Sequence, residues 1–164
     1  LNQNQQPKPE FMQQAIALSL NNVTINKRVP FGAVIVKDQK VIAQAYNEVH
    51  STNDPTCHAE IVAIRQACKA LNTLDLKGCD LYTSCEPCPM CLGAVYWSNI
   101  DRVYYGNSQE DANEFGFDDQ RFYQELKLPK PERKVPMIQF MGKQALIAFE
   151  TWLNQNSNPD LTKL

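Results

Sequence analysis

Cys85, Cys88 and Cys91 stand at i, i+3 and i+6, interleaved with Pro87 and Pro89, and a Cys57-His58-Ala59-Glu60 segment precedes them. No other feature constrains the fold as tightly. An imidazole and thiolates from two distant segments meet around one metal only if the intervening chain brings both segments to the same place. The prolines turn the chain and open a helix, so the cysteines suit a metal better than a set of bridges. Cysteines three apart in a first helical turn direct both sulfurs to one side. The free N–H groups and positive dipole end there favour thiolate over thiol.

The segments around this pair alternate between helical and strand patterns. Met12, Ala15, Ile16, Ser19, Leu20 and Val23 recur on one face, predicting an amphipathic helix from about Glu10 to Asn22. Phe31 to Val36 is a continuous apolar, β-branched run, as expected of a strand buried on both faces. Lys37 to Lys40 turn the chain, and Val41 to Tyr46 return as a hairpin partner. After a polar loop, Asp54-Pro55 or Thr56 signals a helix carrying Ile61, Ile64, Cys68 and Leu71 inward. Cys79 to Ser84 reads as a third strand. Pro87 then opens a long helix with an inner face of Cys88, Cys91, Leu92, Val95 and Tyr96. Val103 to Tyr105 is a fourth strand, and Met137 to Met141 a fifth. Between them, Gln109 to Leu128 reads as a loop leading into a short helix, and Lys130 to Pro136 as a charged hinge. Ala145, Leu146, Phe149, Trp152 and Leu153 form the apolar face of a last helix. This alternation predicts a three-layer α/β/α sandwich with a five-stranded mixed sheet, its last two strands free to run parallel.

At 164 residues the chain can bury a core without staples, and residues 10–156 are expected to form one domain. Residues 1–9, rich in Asn, Gln and Pro, read as a disordered arm and 157–164 as a polar tail. No apolar run reaches membrane-spanning length, and no signal-peptide pattern follows Leu1. A reducing cytoplasm is the expected setting. A net charge of −2, with both signs interspersed, disfavours a broad phosphate-binding surface and hence nucleic acid.

Two metal sites fit the residues. A closed structural knuckle would use His58, Cys85, Cys88 and Cys91. An open site would use His58, Cys88 and Cys91 and leave one tetrahedral position for water. Three thiolates leave zinc net negative and a poor acidifier of water, whereas two balance its charge. Glu60 favours the open site, because a knuckle needs no carboxylate beside its histidine and a hydrolytic site needs a proton carrier.

The combination His58-x-Glu60 with Pro87-Cys88-x-x-Cys91 resembles the zinc nucleobase deaminase signature. The chain therefore resembles the cytidine-deaminase-like superfamily from about Phe31 to Tyr105. The resemblance implies one zinc ion per subunit on His58, Cys88 and Cys91, water as fourth ligand and Glu60 as proton shuttle. Cys85 becomes a neighbour, and Cys57, Cys68 and Cys79 packing residues. The Tyr82-to-Cys91 phrase, Leu92 to Trp97 and Gly116-Phe117-Asp118-Asp119 are similar to the bacterial guanine deaminase branch. That similarity implies Asn47 holding the purine and Asp119 assisting at the departing amino group, with Asp118 as its substitute. It also implies a homodimer with exchange of the C-terminal segment, although Asn154 to Leu164 has no aromatic residue to serve as a lid. Competing readings are a tRNA adenosine deaminase, a guanosine or cytidine deaminase, and a zinc-stapled binding module without catalysis.

Overall fold

A computed structural model describes residues 6–156, so the tail at 157–164 and most of the arm at 1–9 lie outside the described residues. The chain divides after Gln120 into two compact units.

The first unit is built on a four-stranded sheet. Helix α1 spans Pro9–Thr24, strand β1 Gly32–Lys37 and strand β2 Lys40–Tyr46. The short helix α2 spans Val49–Thr52, α3 Ala59–Leu71, β3 Cys79–Cys85, α4 Pro89–Trp97, β4 Arg102–Asn107 and α5 Gln109–Glu114. The strand order is β2-β1-β3-β4. β1 lies antiparallel to both neighbours, and β3 and β4 are parallel, with α4 as the crossover that a parallel pair requires. Asp38 and Gln39 both have positive φ, 48° and 61°, the backbone twist that a two-residue hairpin turn needs.

Period-two alternation along β1 sends Ala33 and Ile35 to one face and Val34 and Val36 to the other. Ala33 and Ile35 join Ala59, Val62 and Ala63 of α3, Leu81 of β3 and Val95 of α4 in the main core. Val34 and Val36 meet Phe11 and Ala15 of α1 and Tyr82 of β3. Both faces are covered, so β1 is buried along nearly all its length, as its unbroken apolar run predicts. Small residues bring the layers close. A Cβ on Gly32 would stand 2.4 Å from the Ala15 carbonyl oxygen and 2.7 Å from the Ser19 nitrogen.

The expected fifth strand is absent: Met137 to Met141 forms no ladder, and Ile138 and Phe140 are 86% and 84% exposed. A short apolar run has the composition of a strand but becomes one only against a hydrogen-bonding partner. The mixed character of the sheet survives in the β3–β4 pair. Helix α4 is also shorter than expected, starting at Pro89 with Cys88 as its N-cap. Its buried residues are Cys91 and Val95, whereas Tyr96, about 100° further round the axis, is exposed. Likewise α3 begins at Ala59 with His58 as N-cap, because the Asp54 carboxylate closes its own turn onto the Thr56 N–H. The polar loop after Asn47 contains α2, and Gln109 begins a helix capped reciprocally by Ser108 and Asp111.

The second unit begins at Arg121, within helix α6 (Gln120–Lys127). A 3-10 turn at Lys130–Glu132 and helix α7 (Gly142–Gln155) follow. Arg133 donates to the Leu128 and Leu126 carbonyls, satisfying the end of α6, and the Lys134 N–H donates to Glu125. Among the described residues, no helix is long and apolar enough to cross a membrane.

Candidate metal centre and substrate cavity

Helices α3 and α4 pack on the same face of the sheet with their N-terminal ends close together, and each contributes its N-cap. His58 is extended at φ −65° and ψ 157°, and Cys88 at φ −66° and ψ 167°, so both leave the helix before its first turn. Cys91 follows one turn into α4. The donor atoms of His58, Cys88 and Cys91 lie within 4.8 Å of one another, and Cys85 is not part of this group. His58 Nδ1 and Cys88 Sγ are 3.7 Å apart. Tetrahedral zinc with Zn–S of ~2.3 Å and Zn–N of ~2.0 Å holds its ligand atoms about 3.5–3.8 Å apart, so the donor set fits the ion in both chemistry and spacing.

The electrostatics single out Cys88 as the thiolate of the set. The Cys91 thiol and the His58 ring, both hydrogen-bonded to Cys88, hold its thiol down at about 4, against the opposing effect of burial. Cys88 is therefore a thiolate at neutral pH, the form a metal requires. Cys91 supplies the proton of that hydrogen bond, which together with burial pushes its own pKa up. The hydrogen bond to Cys88 raises His58, with burial opposing. Cys85 behaves differently: burial pushes it up to about 12, so it remains a thiol.

Glu60 sits in the first turn of α3, 6% exposed. Its Oε1 accepts from the Thr83 hydroxyl at 3.4 Å, and its Oε2 from the Cys91 thiol at 3.5 Å. Burial raises its pKa, which moves the carboxyl toward the range in which a group both takes and returns a proton. Thr83 reaches it because alternation along β3 turns Tyr82 toward α1 and Thr83 toward α3.

A cavity of about 230 Å³ opens over these groups, lined by Phe31, Asn47, His58, Glu60, Cys88 and Asp119, with Val29, Val49, His50, Cys85, Glu86 and Phe117 completing its wall. Five of the seven residues singled out in the sequence thus share one wall. Cys91 lies behind it as a ligand-spaced donor, and Asp118 is not among the lining residues. Asn47 is 4% exposed, and its Oδ1 accepts from the Val49 N–H at 3.2 Å, so the other end of its amide, Nδ2, is left to donate. Phe31 and Phe117 meet edge to face with centroids 5.0 Å apart. Trp97 is 74% exposed and lies outside the cavity lining. Glu86, which the sequence reading passed over, lines the cavity and accepts the Gln109 N–H that opens α5. Its place between Cys85 and Pro87, inside the cysteine motif, was the available signal.

Comparison with known proteins is consistent with this chemistry. Residues 5–107 match the family described as the cytidine and deoxycytidylate deaminase zinc-binding region. A guanine deaminase of Bacillus subtilis is 48% identical over 144 residues, covering 88% of this chain and 92% of the relative. A crystal structure of guanine deaminase from Bacillus subtilis superimposes with a TM-score of 0.90 at 44% identity, covering 97% of this chain and all of that one. A tRNA-specific adenosine deaminase of Aquifex aeolicus is 49% identical, but over 77 residues, 47% of this chain and 51% of the relative.

Proposed function

The chain belongs to the zinc-binding cytidine and deoxycytidylate deaminase family, and on that premise we propose that it hydrolyses guanine to xanthine and ammonia. The observation that carries this reading is the cavity in which Asn47, Glu60 and Asp119 converge on the His58–Cys88 pair. At about 230 Å³ it is smaller than the ~300–1,000 Å³ usual for drug-sized ligands, which suits a free base.

His58, Cys88 and Cys91 hold the zinc, whose bound form supplies Lewis acidity that brings the pKa of a water toward ~7. Glu60 accepts a proton from the attacking water and delivers it to N3 of the purine as the new C–O bond forms at C2. Asp119, which lines the cavity where Asp118 does not, assists passage of the remaining C2 hydroxyl proton to the amino group, which leaves as ammonia as the C2–N bond breaks and the C2 carbonyl forms. Asn47 holds the ring through its amide, with its carbonyl end already fixed by Val49. The edge-to-face pair of Phe31 and Phe117 adds an apolar wall that keeps bulk water from the reacting face.

The enzyme acts as a homodimer in a reducing cytoplasm, with the C-terminal segment exchanged between subunits. Two features support this. The second unit leaves Ile138, Phe140 and Phe149 exposed, and α4 leaves Tyr96 and Trp97 exposed, apolar side chains that a partner subunit would cover. All six cysteines are free.

The test is ammonia release by the zinc-loaded protein from guanine, guanosine, adenine, adenosine, cytosine, cytidine and a tRNA anticodon stem-loop. Guanine should be the preferred substrate. Release from another substrate with none from guanine overturns the assignment, and adenosine-specific release from the stem-loop would move the chain to the tRNA deaminases.

A further inference from the structure

We infer that Asn22, in the last turn of α1 and outside the cavity wall, is a positioning residue that sets Asn47 for the substrate. Asn22 is fully buried. Its Nδ2 donates to the Val29 carbonyl at 2.8 Å and to the Asn47 carbonyl at 3.2 Å, so one amide group ties together two residues that both line the cavity. Its Oδ1 accepts from the Asn26 amide at 3.0 Å, which fixes the orientation of the group and assigns its NH2 to the two carbonyls. The Asn22 carbonyl accepts from the Arg28 N–H at 2.9 Å, so the helix end and the loop before β1 are clamped by the same residue. The loop is in turn joined to the end of β2, where the Asn47 N–H donates to the Phe31 carbonyl at 3.0 Å.

Only a side chain with two N–H bonds on one nitrogen can serve both carbonyls in this geometry. Aspartate would place lone pairs against them, and an aliphatic residue would leave buried carbonyls unpaired. A buried asparagine on a helix face that otherwise packs with apolar and small residues carries a cost that the helix itself does not require. The register it fixes is that of Asn47, whose side chain is aimed only as well as its backbone is held. Asn22 touches no substrate and acts through Asn47.

This inference rests on Asn47 contacting the base, so the experiment separates the two. Asn22→Ser, Asn47→Ala and the double variant are assayed with guanine as zinc-loaded protein, alongside Ser19→Ala. Ser19 donates to the Pro30 carbonyl at 2.6 Å and so ties α1 to the same loop without reaching Asn47. Asn47→Ala alone should raise KM; if it does not, the Asn47 reading fails whatever Asn22 does. Asn22→Ser should raise KM on the order of tenfold with kcat and zinc content little changed. In the Asn47→Ala background the same substitution should add nothing, and Ser19→Ala should leave KM unchanged. A KM increase of equal factor in both backgrounds overturns the inference. So does an Asn22→Ser enzyme that loses folding or zinc while Ser19→Ala keeps both, since Asn22 would then be structural only.

Discussion

Replacing Glu60 by Gln isolates proton transfer from everything else that the site does. The two side chains have nearly the same shape, and the Gln carbonyl can still accept from the Thr83 hydroxyl, now 3.4 Å from Oε1. The side chain therefore stays where it is, with its basicity gone. Positioned proton transfer contributes ~10²–10⁴-fold, about 2.7–5.4 kcal/mol of barrier at 1.36 kcal/mol per tenfold. The upper half of that range is expected, because the carboxyl is buried beneath the cavity and bulk water cannot substitute for it. Stability should move the other way. Burial raises the folded-state pKa of Glu60, so its contribution is complete below the unfolded value and is lost as pH rises through the folded one. Burial disfavours the charged form of this carboxyl and leaves a neutral amide unpenalised, so chelated Glu60→Gln should melt at the same temperature or higher. The assay is steady-state ammonia release, with zinc measured by atomic emission and melting followed with and without chelator. Turnover within threefold of the parent, at unchanged zinc, would refute Glu60 as the proton carrier.

Other perturbations test the scaffold and the ligand set. Cys88→Ser should abolish stoichiometric zinc binding, whereas Cys85→Ser should retain one zinc per subunit. Equal loss in both would restore the closed knuckle. Gly32→Ala should lower stability by about 1–3 kcal/mol in denaturant unfolding, because the new methyl meets the α1 backbone rather than a side chain that can swing away. An unchanged midpoint would mean that α1 does not pack this closely. Hydrogen bonds from the Thr56 hydroxyl, the Cys57 thiol and the Thr56 N–H hold the Asp54 carboxyl down at about 2. Its stabilising contribution is present above the ordinary value of 3.8 and is lost as pH falls toward 2, which a carboxyl-carbon NMR titration with a midpoint near 4 would contradict.

The local identity of the site was legible in the residues themselves. His58, Cys88 and Cys91 announce a metal because few other chemistries need an imidazole and paired thiols at that spacing. The α/β layering was legible for a similar reason: periods of 2 and 3.6 are properties of the local chain, so β1, β2, α3 and β3 fall within a few residues of expectation. Met137 to Met141 failed the same reading because a strand is a relation between two segments, and its apolar pattern carries no record of a partner. Tyr96 failed because the buried stripe of α4 is narrow: it takes in Cys91 and Val95, and Tyr96 lies about 100° further round the axis.

Tertiary structure alone decided what the motif residues do for one another. It made Cys88 a thiolate and left Cys85 a thiol, although both stand in the same C-x-x-C spacing, because one shares hydrogen bonds with Cys91 and His58 and the other is simply buried. It brought Asp119 rather than Asp118 to the cavity wall, a choice between adjacent identical residues that no composition or period distinguishes. It also joined Asn22, an ordinary polar residue near a helix end, to Asn47 across 25 positions of chain. Chemical types and local periods reside in the sequence, whereas proximity, burial and the pairing of distant polar groups exist only once the chain has closed on itself.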